Sequence, residues 1–209
     1  MKVLLVGHSF IRRLKNQVLP AARGRDITTQ GAGKYFAQKL HLNDRFYSVY
    51  TLCERINLVE HLDNLYSQVC QLQPNTVLLD IGSNDLSSFT EVSPASCLKL
   101  AAAIFEFAEK LAALPHIYVV SIHSIIPRYS RISATPDIFI QNCQFFNKYI
   151  KHFCADSVAI KFSRLQGFFQ QLDNTTATPS WTNDGIHCNS TIGCRKYLSR
   201  LRHSLLYHS

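Results

Sequence analysis

No apolar run in the chain approaches the ~20 consecutive residues that a membrane-spanning helix requires. The opening stretch Met1-Lys2-Val3-Leu4-Leu5-Val6 is too short to be the core of a secretion signal. A cytoplasmic chain with neither anchor nor leader is therefore expected. No Pro/Gly/Ser-rich stretch interrupts the 209 residues, so residues 1–209 read as one domain. The seven cysteines (53, 70, 97, 143, 154, 188 and 194) contain no Cys-x-x-Cys pair, and an odd number of dispersed thiols fits a reducing compartment rather than a disulfide framework. His187 with Cys188 and Cys194 lacks a paired ligand motif, so no metal is expected there. Gly-x-Ser-x-Gly is missing, which argues against an ordinary α/β-hydrolase. Gly-x-Gly-x-x-Gly is missing too, which argues against a dinucleotide-binding domain.

What is present is a chain long enough for one substantial core, 46% hydrophobic and 17% charged, with a net charge of +8. The positive excess is uneven. Arg12, Arg13, Lys15, Arg23, Arg25, Lys34 and Lys39 cluster early, and Arg195, Lys196, Arg200 and Arg202 follow Asp184, the last acidic residue. An anionic partner, nucleic acid or a membrane surface, is conceivable. Scattered solvated charge accounts for the excess equally well, because no aromatic-basic interleaving or nucleic-acid motif accompanies it.

Periodicity alternates between strand and helix. Lys2 to Val6 reads as a short buried strand, and Phe10, Ile11, Leu14 and Val18 carry helical spacing. Asp26 to Thr29 is a weaker strand candidate, Tyr35 to Leu42 can form a short helix, and Phe46 to Leu52 suits a strand or extended loop. Leu58, Leu62, Leu65, Val69 and Leu72 then form a helical stripe that Pro74 stops. Further on, Thr76 to Ile81, Ile117 to Ile122 and Val158 to Phe162 read as strands. Pro94 to Leu114, Ile138 to Phe153 and Ile192 to Leu206 read as helices, the first beginning near Ser93. Strands separated by helical crossovers predict a mostly parallel sheet of about five strands covered on both faces. Ligands in such sheets bind at the carboxyl ends of the strands.

Of three polar clusters, Gly7-His8-Ser9 and Gly82-Ser83-Asn84-Asp85 fall at such strand ends, and Asp184-Gly185-Ile186-His187 falls just before the last helix. Ser9 sits where a helix begins; it could be a plain N-cap, or a nucleophile whose negative transition state is favoured by helix N–H groups. Asn84 could cap a turn or donate its amide to an oxyanion. Asp184 and His187, three apart, could be an Asp-Gly turn with an incidental histidine. They could equally be a carboxylate orienting one imidazole nitrogen while the other faces a serine.

Taken with the glycine loop Gly31-Ala32-Gly33, these clusters resemble the successive sequence blocks of the SGNH (GDSL-type) hydrolases over nearly the whole chain. Gly-His-Ser-Phe-Ile-Arg-Arg-Leu looks most like esterase-type domains of metazoan genomes, including some carried by retrotransposons. The resemblance implies a flavodoxin-like α/β/α sandwich that hydrolyses carboxylic esters without a cofactor. Ser9, Asp184 and His187 would be the triad, and the backbone N–H groups of Ser9 and Gly33 with the Asn84 side chain would form the oxyanion hole. Two positions depart from the family. His8 stands where Asp is usual, and either Gly33 or Lys34 corresponds to the glycine of the second block; a lysine there would narrow the pocket and add positive charge.

The expected substrate is a small ester or a lipid. The competing expectation is a catalytically weakened module of the same fold that binds an anionic partner, motivated by His8, Lys34 and the net charge. Arg128, in Ile125-Ile126-Pro127-Arg128, lies at another strand's exit; it could meet a substrate carboxylate or phosphate, or be a solvated loop arginine.

Overall fold

The structure, a computed structural model, describes residues 1–7, 11, 36–42, 45–53, 61–128, 136–165, 168 and 180–208. Among the described residues, six strands form one sheet: β1 (Lys2–Gly7), β2 (Phe36–Leu42), β3 (Arg45–Cys53), β4 (Thr76–Asp80), β5 (Val119–His123) and β6 (Ile160–Ser163). The helices of more than one residue among the described residues are α1 (Leu62–Leu72), α2 (Ser83–Leu86), α3 (Pro94–Ala112), α4 (Pro136–Phe153) and α5 (Gly193–His208).

Spatial order across the sheet is β2-β3-β1-β4-β5-β6. β3, β1, β4, β5 and β6 run parallel, and β2 joins the edge antiparallel to β3. Counting the parallel strands alone in chain order gives 2-1-3-4-5, the flavodoxin-like arrangement. Chain direction across the sheet therefore reverses between β1 and β4, whose last paired residues are Gly7 and Asp80.

β1 and β4 are buried on both faces because their alternate residues serve two separate cores. Leu4, Val6, Val77 and Leu79 face a cluster completed by α3 and α4, including Ile104, Phe107, Phe146 and Ile150. Val3, Leu5 and Leu78 face a second cluster with Trp181, Tyr197, Leu201 and Leu205. The architecture is a three-layer α/β/α sandwich, as its strand and helix alternation predicts. Ser93 caps α3, accepting from the Ser96 N–H at 3.3 Å, and Pro94 occupies the first turn, where its missing donor costs nothing. Among the described residues, no helix is long and apolar enough to cross a membrane.

The expected short helix over Tyr35 to Leu42 is overturned: Phe36–Leu42 is strand β2. It pairs with β3 from Phe36↔Thr51 to Leu42↔Arg45. The weak helical preference of Ala37-Gln38-Lys39-Leu40 yields to the backbone hydrogen bonds that an open sheet edge offers. Arg45–Cys53 resolves the other ambiguous segment as a strand. The helix expected from Phe10 lies outside the described residues apart from the helical, buried Ile11, and the strand candidate Asp26 to Thr29 lies wholly outside them.

Candidate active site

The chain leaves β4 through Ile81 and Gly82. Gly82 has φ +93°, a left-handed conformation that side chains resist, and a Cβ there would lie 3.0 Å from Cδ1 of Ile104. That turn starts α2, which carries Asn84. Ser9, Gly33 and Lys34 lie outside the described residues, so the geometry below concerns Asn84, Arg128, Asp184 and His187 and what holds them.

Asp184 and His187 meet directly. Nδ1 of His187 lies 2.7 Å from Oδ2 of Asp184. The other carboxylate oxygen accepts the backbone N–H groups of Ile186 at 2.9 Å and His187 at 2.7 Å, and the Thr182 hydroxyl at 3.2 Å. Gly185, at φ +74°, makes the tight turn that folds these donors onto the carboxylate. Burial alone would raise the Asp184 carboxyl, but hydrogen bonds from His187 and Ile186 outweigh it and hold the group below the ordinary carboxylate range. An ionised carboxylate only accepts, so Nδ1 of His187 carries the hydrogen and Nε2 is the basic nitrogen.

Asn189 fixes the loop that carries this pair. Its Oδ1 accepts the N–H groups of Ile192 at 2.9 Å and Gly193 at 2.8 Å, capping the start of α5. Its Nδ2 donates to the Ser180 carbonyl at 2.9 Å and to Asn183 at 3.3 Å. A bridge between Thr182 and Cys188 closes the loop. The loop is anchored by buried Trp181, whose ring packs edge-on against Phe168 at 5.1 Å.

Arg128 reaches α2. Its Nη2 donates to the Ser83 hydroxyl at 2.7 Å and to Oδ1 of Asn84 at 3.3 Å, and Nη1 donates to the Ser87 hydroxyl. Its guanidinium also lies over the Phe139 ring, 4.9 Å from the centroid. The side chain is half-buried and engaged by other parts of the chain, unlike a solvated loop arginine.

The helix that follows His187 is tied to the strand that precedes Asn84. Tyr197 on α5 donates its hydroxyl to Oδ2 of Asp80, the last residue of β4, and Asp80 is 5% exposed. Burial pushes the Asp80 carboxyl up to about 6, while Tyr197 and the Arg128 charge pull it down. Sequence reading missed Asp80, Tyr197 and Asn189. A charged residue closing the apolar run Val77-Leu78-Leu79 was the one available signal, because a buried carboxylate needs partners. Tyr197 within a basic helix gave none.

Similarity to solved structures extends over the whole chain. A GDSL-like lipase from Bacteroides thetaiotaomicron superposes with a TM-score of 0.70, at 17% identity, over 100% of this chain and 89% of that one. The fold is that of the GDSL-like hydrolases. A candidate acylhydrolase from Bacteroides fragilis matches the same fold with a TM-score of 0.68 at 17% identity, covering 99% of this chain and 86% of that one. A third structure, described as a candidate platelet activating factor from Streptococcus pneumonia, gives 0.67 at 15% identity, covering 97% and 83%. No protein-family model and no curated protein sequence matches the chain. Within the GDSL-like fold, Asn84 follows β4 and the Asp184–His187 pair precedes the last helix.

Proposed function

We propose that the chain is a serine hydrolase of carboxylic esters, acyl or acetyl, working through Ser9, His187 and Asp184. The observation that carries this reading is the Asp184–His187 pair. A carboxylate held ionised by two backbone N–H groups and a hydroxyl fixes the imidazole tautomer, and that is what a general base in acyl transfer requires. The GDSL-like fold and the sequence order of the three clusters support it.

In this reading, Nε2 of His187 takes the hydroxyl proton of Ser9 as Ser9 Oγ bonds to the ester carbonyl carbon. The carbonyl oxygen becomes an oxyanion, received by the N–H groups of Ser9 and Gly33 and by Nδ2 of Asn84. The imidazolium then protonates the leaving alcohol as the C–O bond breaks. Water, deprotonated by the same nitrogen, releases the acid and regenerates Ser9. Lys34, beside the second-block glycine, would add positive charge and favour substrates with negative charge. Asp184 stays ionised throughout.

The purified chain should hydrolyse p-nitrophenyl acetate and be labelled by a fluorophosphonate, with Ser9→Ala losing both. Folded protein that neither turns over the ester nor takes the label would overturn the reading. Salt-sensitive retention on nucleic acid without esterase activity would favour the binding module instead.

A further inference from the structure

The amide of Asn84 has two chemically opposite ends, and only one is useful to an oxyanion. If Nδ2 faces the substrate it donates; if the amide is turned over, Oδ1 faces the substrate and repels the developing charge. The short helix α2 does not by itself choose between the two, since an amide rotamer flips with little change of shape.

Arg128 removes the ambiguity. A guanidinium has donors only, so the end of the Asn84 amide next to Nη2 must be the oxygen, found at 3.3 Å. The opposite rotamer would set N–H against N–H beside a positive charge. Arg128 is in turn held firmly enough to act as a reference point. Its two terminal nitrogens are spread over Ser83 and Ser87, and the Ser87 hydroxyl is committed as a donor to the Ser83 carbonyl at 2.7 Å. The loop behind it is clamped through Ile125, whose N–H donates to Oδ1 of Asn147 at 2.8 Å. The Ile125 carbonyl accepts Nδ2 of the same residue at 3.0 Å. Phe139 lies against the guanidinium on the α4 side.

We infer that Arg128 is a positioning residue of the oxyanion site, holding Oδ1 of Asn84 so that Nδ2 is the end presented to the substrate. This rests on the ester-hydrolase reading for its consequence, not for its geometry. Arg128 acts through Asn84, and a direct contact with substrate is the competing role for the same side chain. A lysine cannot replace it fully, because one nitrogen cannot span the acceptors that Nη1 and Nη2 divide between them.

A double-mutant cycle with p-nitrophenyl acetate separates the two roles. Arg128→Met should lower kcat about 10- to 100-fold with KM within about twofold, and Arg128→Lys should recover part of the loss. The pair Asn84→Ala with Arg128→Met should be no slower than Asn84→Ala alone, because the arginine has nothing left to orient. Losses that multiply, or a raised KM with kcat intact, would overturn the inference. A second readout needs no activity. The side-chain 15N–1H pair of Asn84, identified by its disappearance in Asn84→Ala, should shift in Arg128→Met and less so in Arg128→Lys. An unmoved pair in both variants overturns the inference. Where wild-type protein turns over no ester but the pair moves as expected, the ester reading falls and the positioning stands. Should Arg128→Met not fold, Arg128→Lys carries both readouts.

Discussion

The hydroxyl of Tyr197 hydrogen-bonds to the carboxylate of Asp80 across 117 positions of sequence. The bond joins the helix that follows His187 to the strand end that precedes Asn84. It lies at the reversal between β1 and β4, where Gly7 pairs with Asp80 and leads toward Ser9. One buried contact therefore links the chain segments that carry Asn84 and the Asp184–His187 pair, and the sheet ladder joins β1 to the first of them.

That contact predicts a particular pH dependence of stability. Folding raises the Asp80 carboxyl from 3.8 to about 6, chiefly by burial. Between those values the folded chain keeps a proton that the unfolded chain has released, so stability from this group is full below 3.8 and is lost as pH rises through about 6. The whole loss is of the order of 3 kcal/mol. Asp80→Asn abolishes it, so the advantage of wild type over Asp80→Asn in urea unfolding should shrink from about pH 4 to about pH 8. A constant difference would remove Asp80 as the titrating group.

Tyr197→Phe leaves the Asp80 carboxylate buried without its donor. A loss of about 1–3 kcal/mol at neutral pH is expected, since an unsatisfied buried acceptor bears its full desolvation. In Asp80→Asn, the same Tyr197 substitution should cost less, measured as a coupling in urea unfolding.

Asp184→Asn keeps the shape of the turn but can place an N–H opposite Nδ1 of His187, favouring the wrong tautomer. Turnover of p-nitrophenyl acetate should fall about 10³- to 10⁴-fold, with little change in melting temperature. Near-wild-type kcat would show that the pair is only a turn.

Asn189→Ala removes the cap of α5 together with two tethers of the loop. Stability should fall by about 1–3 kcal/mol. Asn189→Asp retains the cap acceptor and loses the Nδ2 donors, so it should unfold near wild type while turnover drops. Equal stability losses in both variants would mean that the tethers to Ser180 and Asn183, not the cap, hold the helix start.

Gly82→Ala tests the turn that aims Asn84. The left-handed backbone and the approach of Ile104 make a loss of about 1–3 kcal/mol the expectation. Because α2 begins there, kcat should fall with it, and an Ile104→Val background should restore part of the stability.

Most of the sandwich was legible in the sequence because its signals are local. Pro94 after Ser93, the stripe Leu62, Leu65, Val69 and Leu72, and the continuous apolar runs of β1 and β4 each report a neighbourhood of a few residues. β2 was misread because its state depends on β3, a partner that its own seven residues do not encode. The Asp184–His187 pair was visible for the same reason as the helices: a carboxylate and an imidazole three residues apart share one turn.

By itself the sequence determined the layer order, the place of Gly82-Ser83-Asn84-Asp85 after a buried strand and the sharing of one turn by Asp184 and His187, since periodicity and residue type act over short distances. Only the tertiary structure decided how those residues are held. Arg128 lies 44 positions from Asn84, and Tyr197 lies 117 from Asp80. Partners so far apart meet only because parallel strands bring their carboxyl ends to one edge. There, burial makes each unpaired polar group costly enough that it must find another.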